Sequence, residues 1–248
     1  MKLPYVLILL LAFVSCKKGV KQLTKITGKN IAIDSTIIPA TAITNVITPY
    51  KEKLTTEMEQ TLSYTPKKII KTDAVMQSSL GNLMADMCFE MAMPIYKEKT
   101  KESIDFVLLN YEGIRSSLPA GTIITEDAFK LMPFENELVV TRLTGEKIME
   151  LVAYFIDQKK AHPLSKSIAL TINEKEYALK IKGKNFDKNK TYDVLTSDYL
   201  QGGGDQMNFF KNPVKLTKLD YKLREAIIDY FKKTDTLKTG IDNRVIIK

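Results

Sequence analysis

The 248-residue sequence predicts an α+β fold in which one mixed β-sheet, or two such sheets, carries helices on its outer faces. Segments with a helical spacing of apolar residues and segments with strand-like patterns follow one another without regular alternation. Two strand-like segments separated by four polar residues also indicate an antiparallel hairpin. The hydrophobic content of 44% and the length of the chain favour one large domain preceded by a leader.

Helices are predicted where apolar residues recur every three or four positions. The predicted segments are residues 47–62, 80–91, 125–131, 145–156 and 219–231. Thr48 and Thr144 are the expected caps of the first and fourth segments, and Pro49 is expected in the first turn of the first. Pro94 is expected to end the second helix, whose methionine stripe indicates core packing.

Strand-like segments lie between the predicted helices. They cover residues 64–71, 104–109, 137–143, 168–172, 177–181, 192–197 and 245–247. Residues 104–109 are almost continuously apolar, which is the pattern of a strand buried on both faces. Residues 168–172 and 177–181 are the two strands of the predicted hairpin.

Residues 1–15 have the pattern of a secretory signal peptide, because a basic start precedes an apolar run that ends at a small residue. The run is shorter than the roughly 20 apolar residues that a membrane-spanning helix needs. The motif Phe-Val-Ser-Cys that ends at Cys16 resembles a bacterial lipoprotein cleavage box, with phenylalanine in place of the usual leucine. We therefore expect lipidation of Cys16, a tether over residues 16–45 and a domain over residues 46–248.

This leader predicts an exported protein, anchored to the bacterial cell envelope at the periplasmic or outer face of the outer membrane. An ordinary cleaved signal peptide with an incidental cysteine is the alternative. Cys88 is the one other cysteine of the chain, so an internal disulfide is not expected despite the exported context. Cys88 lies in an apolar helical stretch, which predicts a small buried hydrophobic side chain.

The net charge of +8 comes from lysines that are spread along the chain. A diffuse basic surface suits anionic small molecules or an anionic membrane face. Nucleic acid is not an expected partner, because the chain lacks a basic stripe with interleaved aromatic residues.

The strongest candidate for a binding site is the stretch of residues 110–115, Asn-Tyr-Glu-Gly-Ile-Arg, directly after the buried strand predicted at residues 104–109. A polar, glycine-containing turn at a strand end leaves backbone groups free to meet a ligand, and Arg115 places a planar cation there. Such turns are common, so this stretch read alone is weak support for a site.

Three further motifs accompany this turn in the chain: Leu-Gly-Asn-Leu at residues 80–83, Pro-Phe-Glu-Asn at residues 133–136 and Gly-Gly-Asp ending at Asp205. Together they resemble, in the same order, the signatures of the C-terminal substrate-recognition domain of the 5'-nucleotidase family. The resemblance covers roughly residues 64–247. It implies a layered α+β fold and a nucleoside or nucleoside monophosphate as ligand.

The resemblance also implies a role for each residue of the site. Phe134 and Tyr199 match the two rings that hold the nucleobase between them. The resemblance further implies hydrogen bonds from Asn110 and Asn136 to the nucleoside, from the ribose hydroxyls to Asp205, and contact of Arg115 with the phosphate. The alternatives are that Phe134 simply fills the core and that Tyr199 packs with its hydroxyl at the surface.

The chain departs from the family signatures at several positions. Tyr111 and Glu112 stand where the family has two glycines, which places bulk and negative charge beside the expected phosphate. Glu135 likewise replaces a glycine. Ala74 falls where the family often has an arginine, so that Lys71 is the nearby basic residue. These departures weaken phosphate recognition more than base recognition.

Hydrolysis by this polypeptide alone is not expected. A two-metal phosphoesterase site needs several imidazole and carboxylate ligands, and the chain has one histidine, His162, which we expect to be a solvated loop side chain. No serine or cysteine triad and no phosphate-binding Gly-x-x-x-x-Gly-Lys loop is visible. The resemblance implies that the catalytic metal pair, and any other cofactor, belongs to a metallophosphatase domain.

Three interpretations follow. The first is the recognition half of a split 5'-nucleotidase in nucleotide catabolism, a lipoprotein that works with a separately encoded metallophosphatase chain. The second is a non-catalytic binding or scaffold lipoprotein that kept the fold and lost nucleotide hydrolysis, which Tyr111 and Glu112 favour. The third is an enzyme of another type acting alone, which the single histidine disfavours.

Overall fold

The computed structural model describes residues 22–174 and 176–248. The chain divides into two units, Met1–Ile47 and Thr48–Lys248. Residues 22–47 of the first unit are exposed to solvent. The predicted signal peptide and Cys16 lie outside the described residues and stay predictions. Among the helices that the structure describes, none combines the length and the apolar character needed to cross a bilayer.

Six α-helices and ten strands form in the described residues. The helices are α1 (Thr41–Met58), α2 (Ser79–Thr100), α3 (Thr125–Leu131), α4 (Gly145–Gln158), α5 (Asp198–Gln201) and α6 (Leu223–Lys233). The strands are β1 (Thr61–Thr65), β2 (Phe106–Val107), β3 (Gly121–Ile124), β4 (Glu137–Thr144), β5 (Ile168–Asn173), β6 (Glu176–Ile181), β7 (Lys184–Asn185), β8 (Thr191–Ser197), β9 (Lys215–Lys222) and β10 (Val245–Ile247).

The strands make a central mixed sheet and two smaller partners. The central sheet has the order β2-β8-β4-β9, in which β2 runs parallel to β8 and β4 runs antiparallel to both of its neighbours. A second sheet has the order β10-β5-β6-β7 and contains the predicted hairpin, while β1 pairs with β3. The predicted α+β fold with mixed sheets is confirmed.

Strands β2, β8 and β4 of the central sheet are buried on both faces, and the core consists of two clusters, one on each side. Val107 packs with α2 and α6 in one cluster, whereas its neighbour Phe106 packs with α4 and the second sheet in the other. Neighbouring residues of β8, Val194 and Leu195, divide between the clusters in the same way. Because strand side chains alternate between faces, the continuous apolar run of β2 is explained by burial on both sides.

Local capping signals fixed several helix starts. Thr144 begins α4, and its side-chain oxygen accepts a hydrogen bond from the backbone N–H of Lys147, as predicted. Ser78 caps α2 by accepting from the N–H of Gly81. Cys88 is buried in α2, which confirms the prediction, and burial raises the pKa of its thiol to about 12.

Both proline predictions were wrong. Pro49 lies inside α1 instead of in its first turn, and Pro94 lies inside α2, which continues to Thr100. A proline removes one helical hydrogen bond, but α2 is long and buries many side chains against the core, so packing outweighs that loss. No residue of α1 is buried, and Leu62, predicted to end this helix, is a buried residue of β1.

Strand β9 was missed, and the final helix begins at Leu223 instead of at Leu219. Leu219 is the one fully buried residue of β9, and lysines occupy many of its other positions. An edge strand that exposes most of its side chains lacks the apolar alternation by which strands are recognised, and lysines are typical of such edges. Pairing with β4 defines this strand.

Candidate functional site

The six residues predicted to bind substrate line one cavity of about 270 Å³, close to the lower end of the range of ligand pockets, about 300–1,000 Å³. The lining consists of Asn110, Glu112, Gly113, Arg115, Phe134, Asn136, Tyr199 and Asp205. Of these, Glu112 and Gly113 were not among the predicted binding residues, although both lie in the turn at residues 110–115.

The strand order explains why three distant segments meet at this cavity. Because β2 and β8 are parallel neighbours, their carboxyl ends lie at the same edge of the central sheet. Strand β4 is antiparallel to β8, with Leu138 opposite Ser197, so its first residues lie at that edge as well. The segments that follow β2, precede β4 and follow β8 therefore converge and supply the lining residues.

Phe134 and Tyr199 expose their rings at the cavity. Phe134 is 39% exposed and Tyr199 is 47% exposed, so the Phe134 ring does not fill the core, which was the alternative for this residue. The backbone carbonyl of Phe134 accepts a hydrogen bond of 3.2 Å from Arg224, which holds the turn in place. The guanidinium of Arg115 lies 5.9 Å from the centre of the Phe134 ring.

The Gly-Gly-Asp motif brings Asp205 and Tyr199 together. The hydroxyl of Tyr199 donates to Oδ1 of Asp205 at 2.8 Å. Gly203 has a φ of +92°, which favours glycine, and a Cβ placed on Gly204 would lie 2.4 Å from Cε1 of Tyr199. The glycines are therefore required both for a sharp turn and for the close approach of backbone to the Tyr199 ring.

Asp205 is also held from two other directions. Nδ2 of Asn110 donates to its Oδ2 at 2.7 Å, and the hydroxyl of Tyr154 on α4 donates to its backbone carbonyl at 2.8 Å. Asp205 itself has a φ of +50°. Tyr154 was not predicted as part of the site, because its position in α4 carries no motif that points to residue 205.

The turn after β2 is a 3₁₀-helix, Tyr111–Gly113. Basic residues neutralise part of the negative charge that Glu112 brings to this turn. Lys160 pairs with Glu112 at 2.9 Å, and this hydrogen bond is the main cause of the lowered pKa of the Glu112 carboxyl. Lys71 lies 4.1 Å from the centre of the Tyr111 ring and donates to the carbonyl of Ile114 at 2.8 Å. Lys160 was not a predicted residue of the site, because no sequence motif includes it.

The prediction that His162 is a solvated loop residue was wrong. His162 is only 3% exposed, and its Nδ1 accepts a hydrogen bond of 3.1 Å from the backbone N–H of Tyr111. Within the described part of the chain, Nε2 has no hydrogen-bond partner. Burial lowers the pKa of the ring to about 4, and the positive charge of Lys160 contributes. His162 is a neutral support of the turn.

The remaining predicted residues occupy different positions around the cavity. Asn136 is half-buried, and its backbone carbonyl accepts from the N–H of Leu223 at 2.9 Å. Arg115 is exposed. Glu135, the other departure from the family turn, does not line the cavity, since its carboxylate pairs with Lys222 and Arg224.

A divalent metal pair does not fit the side chains that the structure describes. In residues 22–174 and 176–248, no three His, Cys, Asp or Glu side chains come together in a way that could hold a metal ion. The two carboxylates of the cavity, Glu112 and Asp205, are engaged with Lys160 and with Asn110 and Tyr199. The arrangement can bind and orient a polar aromatic ligand.

The family model for the 5'-nucleotidase, C-terminal domain matches residues 57–212. The chain is 28% identical over 196 residues to a 5'-nucleotidase of Vibrio vulnificus, covering 75% of this chain and 34% of that protein. It is 27% identical over 220 residues to the cell wall protein Lmo0130 of Listeria monocytogenes, covering 79% of this chain and 27% of that protein.

Among solved structures, a 5'-nucleotidase precursor from Thermus thermophilus matches with a TM-score of 0.67 and 20% identity, over 82% of this chain and 42% of that one. A 5'-nucleotidase from Staphylococcus aureus described as putative matches with a TM-score of 0.61 and 16% identity, over 87% and 45% of the two chains. These likenesses show the fold. The chain thus spans about a third of the length of the curated relatives. It belongs to the 5'-nucleotidase C-terminal domain family.

Proposed function

We propose that this chain is the nucleoside-recognition component of a 5'-nucleotidase-type phosphoester hydrolase in nucleotide catabolism, and that it acts with a separately encoded metallophosphatase. The observation that carries this proposal is that two exposed rings, Phe134 and Tyr199, line the same cavity as the polar side chains of Asn110, Asn136 and Asp205. Flat heterocycles with attached hydroxyl groups suit such a lining.

The base stacks on the rings of Phe134 and Tyr199, each worth about 1–3 kcal/mol for any base, since every base has a π-face. The ribose hydroxyls donate to Asp205. An ionised carboxylate offers about four lone-pair sites, and Asn110 and Tyr199 use two of those of Asp205, so acceptor capacity remains. Asn110 and Asn136 contact the nucleoside, and Arg115 faces the phosphate.

Bond cleavage is assigned to the partner chain. A two-metal site activates water and stabilises both the attacking and the leaving oxygen, and it requires ligands that the described residues do not assemble. This chain would hold the nucleoside so that its phosphate reaches the partner's metals. We expect no hydrolysis by this chain alone.

The chain is proposed to act at the bacterial cell envelope, on the periplasmic or outer side, through lipid attached to Cys16. The leader pattern supports this location, and the likeness to a cell wall protein of Listeria monocytogenes agrees with export. Several acyl chains, or one chain with a basic tether, would give stable attachment, whereas a single chain binds weakly.

Titration with a nucleoside tests the recognition site. Phe134→Ala and Tyr199→Ala should each weaken nucleoside affinity about tenfold or more, because each removes one stacking surface. Tyr50→Ala is the matched control, since Tyr50 is an exposed ring on α1 and does not line the cavity. An unchanged titration in both cavity variants would remove the stacking hypothesis.

A mixing experiment tests whether recognition and hydrolysis are carried by two separate chains. The chain is added to a metallophosphatase encoded beside it that lacks a recognition domain of its own. The mixture should release phosphate from nucleoside monophosphates in a metal-dependent manner, faster than the partner alone. A rate equal to that of the partner alone counts against the proposal.

One observation favours a second candidate function, a non-catalytic binding or scaffold lipoprotein. Glu112, an acidic residue, is among the lining residues, in the turn where the family resemblance places the phosphate. Nucleoside binding by this chain without any rate gain on mixing would favour this candidate over the first.

A further inference from the structure

The charges around the cavity are unevenly placed. Two carboxylates, Glu112 and Asp205, are among the lining residues, against the single guanidinium of Arg115. Lys160 pairs with Glu112 at 2.9 Å but does not itself line the cavity. The acidic partner of this ion pair is therefore a residue of the cavity lining, and the basic partner is not.

The turn that carries Glu112 is held in place by contacts with neighbouring residues. The N–H of the preceding residue, Tyr111, donates to Nδ1 of the buried His162 at 3.1 Å. Lys160 and His162 lie in one loop, so this loop holds the turn at two points, through the hydrogen bond to the His162 ring and through the ion pair. Gly113, the next residue, is buried against Asn110. The turn that carries Glu112 is consequently held on both sides of this residue.

The positive charges near the cavity do not offset the negative charge of Glu112 that a bound anion would meet. Arg115 is the one cation of the lining residues, and because Arg115 and Glu112 are both exposed, solvent and salt weaken both charges alike. The ammonium of Lys71 donates to the carbonyl of Ile114 and lies over the Tyr111 ring, and desolvation is the main cause of its lowered pKa. Lys71 is not among the lining residues.

We propose that Glu112 determines the charge selectivity of this site, so that the cavity takes an uncharged nucleoside in preference to its 5'-monophosphate, and that Lys160 limits this preference. This inference rests on the proposed function and specifies its ligand. A phosphate dianion placed near the turn would be repelled by Glu112, whereas a ribose 5'-hydroxyl could donate a hydrogen bond to the same carboxylate.

The test compares the dissociation constants of adenosine 5'-monophosphate and adenosine, measured by calorimetry on the full chain at low ionic strength. In the unaltered protein the ratio of the monophosphate constant to the nucleoside constant should exceed one. Glu112→Gln should lower this ratio about tenfold, and Lys160→Met should raise it, since the carboxylate is then unpaired. Both side chains are substantially exposed, so the fold should tolerate both changes.

Glu90→Gln is the control for overall charge, because Glu90 forms a comparable exposed pair with Lys233 at 2.6 Å on α2, outside the cavity. It should leave the ratio unchanged. The inference is overturned if Glu112→Gln leaves the ratio as it was, if Glu90→Gln lowers it equally, or if the unaltered protein prefers the monophosphate. Binding of neither ligand would instead reject the proposed function itself.

Discussion

Nδ2 of Asn110 donates a hydrogen bond to Oδ2 of Asp205 at 2.7 Å, across 95 positions of sequence. Asn110 follows β2, and Asp205 follows β8 in a turn with left-handed backbone. The two strands are parallel neighbours, so this bond links the two segments that leave the same edge of the central sheet. Both residues line the cavity.

A double-mutant cycle measures this link. Asn110→Ala and Asp205→Ala should each lower the free energy of unfolding by about 1–3 kcal/mol, because each removes a hydrogen bond to a charged group. The double variant should lose less than the sum, since the same bond is absent from both single variants. Urea unfolding of the four proteins gives the coupling.

Asp205 has left-handed backbone, so Asp205→Ala lowers the free energy of unfolding further through backbone strain. This extra loss is the same in both variants that carry the change, so it cancels in the cycle. Strictly additive losses would show that the two side chains do not stabilise each other.

Gly204→Ala should lower nucleoside affinity about tenfold. Its Cβ would lie 2.4 Å from the ring of Tyr199, so the ring must move out of the cavity lining. Calorimetric titration with a nucleoside measures the change, and a thermal melt checks that the fold is kept.

Gly202→Ala provides a matched control for this substitution in the same glycine run. A Cβ on Gly202 would meet only the carbonyl oxygens of Tyr199 and Asp198, at 3.4 and 3.5 Å, which is ordinary contact. It should bind like the unaltered protein. Equal affinities for all three proteins would show that the position of the Tyr199 ring is unimportant.

His162 makes the stability depend on pH. Its pKa is about 4 in the folded protein, against an ordinary value of 6.5, because the ring is buried. Between these values the unfolded chain binds a proton that the folded protein does not, so stability falls as pH falls from 6.5 toward 4. The loss from pH 7 to pH 5 should be about 2 kcal/mol.

His162→Asn isolates this contribution, since an amide oxygen can still accept from the N–H of Tyr111 but does not titrate. Urea unfolding measures the free energy of unfolding at pH 7 and at pH 5. The decrease between the two pH values should be about 2 kcal/mol smaller for the variant than for the unaltered protein. Charged groups around the ring, including Lys160, Asp205 and Glu112, are common to both proteins. Identical pH dependence would contradict the assignment.

Arg244 should be a major determinant of stability. It is 5% exposed and donates to Asp86 at 2.9 Å, to Asp242 at 2.7 Å and to the carbonyl of Leu164 at 2.6 Å. Arg244→Met should lower the free energy of unfolding by about 3–5 kcal/mol, because it leaves partly buried carboxylates without their cation.

Lys232→Met is the comparison for Arg244→Met, since Lys232 is an exposed cation near the end of α6. Lys232→Met should change the free energy of unfolding by no more than about 0.5 kcal/mol in the same urea titration. A loss for Arg244→Met of no more than that for Lys232→Met would refute the role assigned to the buried arginine.

The sequence alone was sufficient for elements whose signals are local. The short helix α3 has the predicted bounds, Thr144 caps α4, and β5 and β6 form the predicted hairpin. Periodicity, caps and turn residues act over a few positions, so they can be recognised without knowledge of the fold. The motifs also indicated six residues, Asn110, Arg115, Phe134, Asn136, Tyr199 and Asp205, and these line one cavity.

The elements and contacts that local sequence signals did not predict were decided by the tertiary structure. Burial and neighbours determined that Pro94 continues a helix, that lysine-rich β9 is a strand, and that His162 supports the binding turn. Lys160 pairs with Glu112 although 48 positions separate them. Such contacts follow from the order of strands in a sheet, and short-range patterns of apolar and polar residues carry no information on that order.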